Sequence, residues 1–390
     1  MTKEEQNASP MSMPRRSIIR AASVGVFSSV ILGSSTAAEY SSISYGETVT
    51  GVTSDKLTFS AEENDVVSID LRLNNPIDYE GVISLRRPNG NQIASVEGNA
   101  EDGNAALSLH ELPRISGEYI IEVEGKYDSG FGYVLSLYSG VPSDQLIDYG
   151  ESVSGELTRD DRYFNDFYVN GYHDAYAVEA SVGDEITIEM RPDNEIDNRA
   201  QLVLFDPEGD RVAYDTNQNG EDGNAVITQY RIDNQQGGEY TIVATGGGGI
   251  DRFSYQLSVY DGIPVDQHLN YGDTIRGQLT RDDRYYSDFY INGYHDAYAF
   301  QAKSDNIISI KMGPENENEE YAQLVLFDPD GDRVASDTNQ DGKAGNAVLS
   351  EHKITKEGKY TIVATGDSHR DLFEYILELT LVEGTPPAGD

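Results

Sequence analysis

The chain has no cysteine and no tryptophan. Without thiols it cannot form disulfides, thiolate metal centres, a cysteine nucleophile or a lipid anchor on an N-terminal Cys. It is also poor in positive charge: 28 Lys and Arg stand against 68 Asp and Glu in 390 residues, a formal net charge of −40 at pH 7. Phosphate backbones call for a cationic surface, so nucleic acid is excluded as a partner, and an anionic membrane surface is disfavoured on the same ground. Long apolar runs are missing as well. The best of them, Ala21 to Leu32, is far shorter than the ~20 residues a membrane-spanning helix needs.

What is present begins with the kind of acidity. Only 9 of the 28 basic residues are Lys, so the charged surface is mostly short carboxylates with few long aliphatic stems. At molar salt the Debye length falls to about 3 Å, and the self-repulsion of such a surface is screened. The composition therefore points to strongly saline surroundings and a halophilic, archaeal source. With 38% hydrophobic residues the chain can still bury real cores.

Residues 1–38 read as a segment apart from the fold. Pro14-Arg15-Arg16-Ser17-Ile18-Ile19-Arg20 precedes the short apolar run, and Gly33-Ser34-Ser35-Thr36-Ala37-Ala38 follows it. A paired arginine, a short apolar stretch and small residues resemble a twin-arginine export signal. The resemblance implies a secreted, extracellular protein with no transmembrane span in the mature chain.

The remainder repeats itself. Leu157-Thr158-Arg159-Asp160-Asp161-Arg162-Tyr163 returns as Leu279-Thr280-Arg281-Asp282-Asp283-Arg284-Tyr285, and Gly171-Tyr172-His173-Asp174-Ala175-Tyr176-Ala177 as Gly293 to Ala299. An earlier, degenerate copy opens at Tyr45-Gly46, matching Tyr149-Gly150 and Tyr271-Gly272, but is shorter just where the later copies carry these two segments. The expected organisation is residues 39–140, 141–262 and 263–390, with Pro and Gly breaking the pattern near Gly140-Val141-Pro142 and Gly262-Ile263-Pro264. Each unit is long enough to close its own core, so beads on a string are expected.

Within a unit the apolar period is two, as in Val66-Val67-Ser68-Ile69-Asp70-Leu71 and Glu185-Ile186-Thr187-Ile188-Glu189-Met190, with turns such as Pro207-Glu208-Gly209-Asp210 between. That predicts an all-β chain of three tandem antiparallel β-sandwich, jelly-roll-like domains.

With Gly155-Glu156-Leu157, Leu204-Phe205-Asp206-Pro207-Glu208-Gly209, Gly223-Asn224-Ala225 and the closing Gly238-Glu239-Tyr240-Thr241-Ile242-Val243 in view, each unit resembles the bacterial pre-peptidase C-terminal domain. The resemblance implies a non-catalytic role in binding or stabilisation beside exported enzymes. No peptidase domain accompanies the units here.

Three sets of residues are candidate sites. His173 beside Asp174, and His295 beside Asp296, invite a hydrolase reading, but neighbours on a strand point to opposite faces and no Gly-x-Ser-x-Gly elbow is present. Tyr172, His173, Tyr294 and His295 are instead candidates for a binding surface or for turn chemistry. Asp215, Asn217 and Asn219, and Asp337, Asn339 and Asp341, each run into a Gly and imitate the first half of a calcium loop. The twelfth position is Val226 or Val348 instead of Glu, which rejects an EF-hand. A looser calcium site completed by Asp222, Asp330 or Asp332 is one reading, and a solvated acidic turn the other. The 26 tyrosines, among them Tyr163, Tyr168, Tyr176, Tyr285, Tyr290 and Tyr298, suggest a stacking platform for a sugar or protein, or half-buried sheet residues. Arg159, Arg162, Arg281 and Arg284 are expected to pair locally with acids. The function expected is a secreted, non-catalytic binding and adhesion protein for an extracellular protein or glycan. Its alternatives are a self-associating structural subunit and an accessory to an exported peptidase.

Overall fold

The computed structural model describes residues 40–74, 80–98, 103–126, 131–159, 161–165, 170–193, 199–216, 223–232, 237–248, 251–281, 283–287, 292–315, 321–338, 345–366 and 371–387. The export-signal residues, and Tyr168, Asn217, Asn219, Asp222, Tyr290, Asn339 and Asp341, lie outside them. Among the described residues there is no helix, and therefore none long and apolar enough to cross a membrane.

The first module holds β1 (Ser41–Ser42), β2 (Thr48–Gly51), β3 (Asp55–Ala61), β4 (Val66–Leu73), β5 (Gly81–Arg86), β6 (Gln92–Glu97), β7 (Ala105–Glu111), β8 (Gly117–Gly125) and β9 (Tyr133–Ser139). The second holds β10 (Gln145–Leu146), β11 (Ser152–Glu156), β12 (Arg162–Asn165), β13 (Asn170–Ala180), β14 (Glu185–Pro192), β15 (Ala200–Phe205), β16 (Arg211–Thr216), β17 (Ala225–Arg231), β18 (Gly238–Gly246) and β19 (Ser254–Asp261). The third holds β20 (Gln267–His268), β21 (Thr274–Gln278), β22 (Arg284–Ser287), β23 (Asn292–Ala302), β24 (Ile307–Pro314), β25 (Ala322–Phe327), β26 (Arg333–Thr338), β27 (Ala347–Lys353), β28 (Gly358–Gly366) and β29 (Glu374–Glu383).

Each module is an eight-stranded jelly roll. In the first, β2-β9-β4-β7 faces β3-β8-β5-β6, with the short β1 parallel to β3 at the edge. Successive strands cross from one sheet to the other except at the β5–β6 hairpin, and the same orders recur in the other modules. Alternation explains the layering. Val67, Ile69 and Leu71 point inward and are at most 1% exposed, while Ser68, Asp70 and Arg72 line the outer face. The second and third cores repeat this with Ile186, Ile188 and Met190 and with Ile308, Ile310 and Met312.

The later modules carry one addition. Strand β13 runs to 11 residues where β3 has 7, and its extra length pairs with β12; β23 and β22 do the same. This hairpin contains the closing Arg162-Tyr163 and Arg284-Tyr285 of the first repeated segment and the Tyr-His-Asp of the second.

The modules are not separate beads. The outer face of β13, β15 and β18 presents Ala175, Val203, Phe205 and Val243, and this patch is covered by Leu109 of the first module and Val141 of the linker. In the third module Ala297, Val325, Phe327 and Val363 are covered by Val226 and Ile263. An apolar sheet face of this kind cannot stay in water at low cost, since each large side chain gains about 1.5–3 kcal/mol on burial. The expectation of independent beads is corrected on that ground: the sandwiches are closed, but their sheets also stack on one another.

Candidate functional site

Of the residues singled out in the sequence, Arg162, Arg284 and the Tyr-His pairs lie at the two joints. In the first joint Arg162 leaves β12, donates to the carbonyl of Pro142 at 3.0 Å, pairs with Asp144 of the same linker, and lies 5.4 Å from the ring centre of Tyr138 in the first module. Asp144 also accepts the N–H of Ala175 at 3.2 Å. In the second joint Arg284 pairs with Asp266 at 2.5 Å and lies 5.5 Å from the ring centre of Tyr260, while Asp266 accepts the N–H of Ala297 at 2.7 Å. One clamp has thus been built twice: linker aspartate, hairpin arginine and a tyrosine on the sheet of the preceding module. The local pairing expected for Arg162 and Arg284 is observed.

His173 and His295 lie behind these arginines and are 4% and 1% exposed. Burial, reinforced by Arg162 and Arg72 for the one and by Arg284 and Arg191 for the other, holds each imidazole down to about 3. Both rings are therefore neutral at ordinary pH. Tyr172 and Tyr294 are 3% and 2% exposed and meet Tyr163 and Tyr285 edge-on, with ring centres 5.5 Å and 5.3 Å apart. The Tyr172, His173, Tyr294, His295 binding surface is corrected accordingly. These side chains are nearly buried within the joints, His173 against a small cavity and His295 at the floor of an open cleft. Tyr176 and Tyr298 are 5% exposed, so they form no platform either.

Asp174 and Asp296 turn the other way, into the mouth of their own sandwich. The hydroxyl of Tyr255 donates to Asp174 at 2.5 Å and meets that of Tyr176 at 2.8 Å. Tyr375 donates to Asp296 and meets Tyr298 at 2.6 Å. Burial raises each carboxyl to about 6, against the lowering effect of the tyrosine bond. The tyrosine rings lie over Gly155 and Gly277, where an added Cβ would come within 2.3 Å of ring atoms. That close approach is why the Gly-Glu-Leu and Gly-Gln-Leu segments need glycine.

Asp215 and Asp337 act as ties between sheets. Each accepts the N–H of the residue opposite, Val226 at 2.8 Å and Val348 at 2.7 Å. Burial raises the Asp215 carboxyl. Among the described residues the one set of three carboxylates with oxygens within 4.8 Å of one another is Asp328, Asp330 and Asp332. Lys356 already sits there, 2.5 Å from Asp328 and 2.6 Å from Asp330. Asp328 also accepts the N–H groups of Asp330 and Asp332 at 2.9 and 3.1 Å, closing the Asp-Pro-Asp-Gly-Asp turn. Asp330 and Asp332 thus belong to a turn whose carboxylates are bridged by Lys356.

Sequence reasoning missed the receiving half of each joint. Asp70 with Arg72, and Glu189 with Arg191, pair at 2.9 and 2.8 Å on β4 and β14 beside Ser136 and Ser258. The signal was there: an acid and an arginine two apart inside an apolar strand recur in the first two copies, and the third has Lys311 and Gly313 instead.

The two joints differ in one respect. At the first, a cavity of about 20 Å³ lies beside His173. The second is flanked by two open clefts. One, of about 210 Å³, is lined by Glu189, Arg191, Gln256, Asp283 and Asp296 among others. The other, of about 340 Å³, lies between Glu185 and Gln229 of the second module and Asp328 and Lys359 of the third.

No family profile matches the chain, and no characterised protein matches it in sequence. Among solved structures it is similar to the pre-peptidase C-terminal domain of a collagenase from Bacillus anthracis, at 18% identity over 31% of this chain and all of that one, with a TM-score of 0.23. It is also similar to an archaeal virus protein of triple jelly roll fold, at 10% identity over 84% of this chain and 82% of the other, TM-score 0.20. A protein described as secreted from Eubacterium rectale matches at 13% identity over 59% and 74%, TM-score 0.19.

Proposed function

We propose that the chain is an exported, non-catalytic binding and adhesion protein that works outside a halophilic cell as a stack of three jelly rolls. The observation that carries this reading is the fate of its chemically able residues. His173 and His295 are 4% and 1% exposed and held neutral, and Arg162 and Arg284 are engaged in the joints. A general base needs a pKa near the working pH, and these imidazoles, though His295 borders one cleft, are held far below it. The acidic surface and the paired Arg15-Arg16 favour export into brine. An extracellular glycan or protein would meet the chain at the second joint, where the polar clefts of about 340 and 210 Å³ give contacts from two modules at once.

The test is a binding screen of the purified chain in molar salt against polysaccharide and surface-protein panels, run beside esterase, glycosidase and peptidase assays. Saturable binding weakened by Arg191→Ala, with no turnover, is the expected result. Turnover lost on replacing His173 and His295 together by Gln would sink the reading.

The segments shared with pre-peptidase C-terminal domains favour one second reading, an accessory that stabilises or targets a separate exported peptidase. Co-purification of a peptidase with the tagged chain from culture supernatant would support it.

A further inference from the structure

The strand registers place the three modules residue against residue. Lys56, Ala175 and Ala297 correspond, because each faces its partner across the same ladder, Glu122, Val243 and Val363. Ser84, Val203 and Val325 fall on the next strand of that row, and Arg86, Phe205 and Phe327 lie two residues on. The face that seats the second and third modules is therefore Ala, Val, Phe and Val, while the first module carries Lys, Ser, Arg and Glu in those places. There Lys56 and Arg86 both pair with Glu122, and the Lys56 side chain is 48% exposed. The first module also has no strand equivalent to β12 among its described residues.

The receiving face changes at the other end. Asp70 and Glu189 correspond to Lys311, and Ser136 and Ser258 to Glu378. Tyr138 and Tyr260, which lie under the arginines, correspond to Thr380. Ala106 and Val226, both buried against the next module, correspond to Val348, which is 39% exposed. The bulge residue follows suit. Leu109, Gln229 and Glu351 share the left-handed backbone, with φ of 48°, 44° and 51°. Leu109 packs on the second module and Gln229 donates to the carbonyl of Gly331 at 3.3 Å, but Glu351 is exposed.

We infer that the stack is directional and closed: each joint needs an apolar seating face with its β12-type hairpin and an acid, serine and tyrosine receiving face, and the two outermost faces carry neither. A second copy of this chain cannot extend the stack at either end by the chemistry that joins its modules. The charged terminal faces act as caps, and the repeat differences are what make them so. This speaks against end-to-end self-assembly and goes beyond the binding role proposed above.

Sedimentation of the full chain in molar salt over a hundredfold concentration range tests the closure. A single species of monomer mass is expected, and a ladder of multiples growing with concentration overturns it. The seating rule is tested by giving the third module the first module's own residues, Ala297→Lys, Val325→Ser, Phe327→Arg and Val363→Glu together. Since a jelly roll of this chain already carries them, the β-signal in far-ultraviolet dichroism should persist. The maximum dimension in X-ray scattering should grow, and protease cleavage should appear between residues 262 and 266. Unchanged scattering and an uncut linker would overturn the rule. Should the fourfold change cost the β-signal, the single change Val325→Ser reads the same linker cleavage, and its absence counts against the rule equally.

Discussion

The guanidinium of Arg284 lies 5.5 Å from the ring centre of Tyr260, across the joint between the second and third modules, while its Nη1 holds Asp266 of the linker. One side chain so ties together three successive segments, the last strand of one module, the linker and the hairpin of the next. A cation over an aromatic face contributes on the order of 0.5–2 kcal/mol, depending on how far it is desolvated. Arg284→Ala should therefore lower stability by roughly 1–3 kcal/mol once the half-buried ion pair is lost as well. In denaturant titrations the loss should persist at molar salt, because the ring contact is screened less than the ion pair. A variant as stable as the parent at both low and high salt would show that the clamp is ornamental.

The joints should also be acid-labile through their histidines. A His whose folded value is depressed to about 3, against ~6.5 unfolded, binds fewer protons in the fold. Stability is then present above pH 6.5 and drains away as pH falls toward 3. His173→Gln and His295→Gln keep a neutral polar side chain and should flatten that decline. The check is the unfolding midpoint measured from pH 7 to pH 4 in fixed salt, where an undiminished slope in the double variant would refute the assignment.

Asp174 and Asp296 work in the opposite sense. Their carboxyls are raised to about 6, so the fold binds more protons than the unfolded chain between about pH 4 and 6. Their contribution falls as pH rises through that window and is flat above it. Both are partly exposed, so the effect is discounted to about 1 kcal/mol each. Asp174→Asn with Asp296→Asn still accepts the tyrosine bonds and should be at least as stable as the parent at pH 7. A marked loss at pH 7 would mean that the charge itself is needed.

The sandwich was legible in the sequence because alternation such as Val67-Ser68-Ile69-Asp70-Leu71 states which side chains go inward. The joints were not. Ala175, Val203 and Val243 are apolar at positions that alternate out of their own core, and a single module gives no reason for that. Read alone, His173 and Tyr172 look like site residues, because conspicuous polar and aromatic side chains suit a buried joint as well as a ligand. What separates the two is burial by a neighbouring module, which a pattern local to one strand cannot express. The comparison that does reveal it is between copies: Ala, Val and Phe in two repeats against Lys56, Ser84 and Arg86 in the first.

Glycine at positions 51, 155 and 277 makes a sharper prediction. A methyl group at Gly277 would sit 2.3 Å from Tyr375, and at Gly155 as close to Tyr255. Both rings are at most 1% exposed, with their hydroxyls committed to Asp296 and Asp174, so they cannot swing aside freely. Gly277→Ala should cost about 1–3 kcal/mol, the range for overpacking a tight interior. Gly313→Ala is a poor control, since its Cβ would meet Asn346, whereas Gly140 has open space but a φ of 67°. The informative partner is Tyr375→Phe in the Gly277→Ala background. If the clash is with the ring, removing the hydroxyl rescues little, and substantial rescue would place the conflict at the oxygen.

The acidic loops yield the last prediction. Asp215 and Asp337 each commit one oxygen to a backbone N–H that joins the two sheets of a sandwich, at 2.8 and 2.7 Å. An ion at either loop would have to share a carboxylate already in use, whereas the tie itself needs no metal. Thermal melts in matched molar salt, with calcium and with chelator, should give the same midpoint. Asp215→Ala, which leaves the Val226 N–H unpaired in a half-buried place, should lower the midpoint by the equivalent of about 1–3 kcal/mol in either condition. Asp215→Asn keeps an acceptor and should lose less. A chelator-sensitive midpoint that both substitutions abolish would instead make Asp215 a calcium ligand and return the loop to the reading its spacing first suggested.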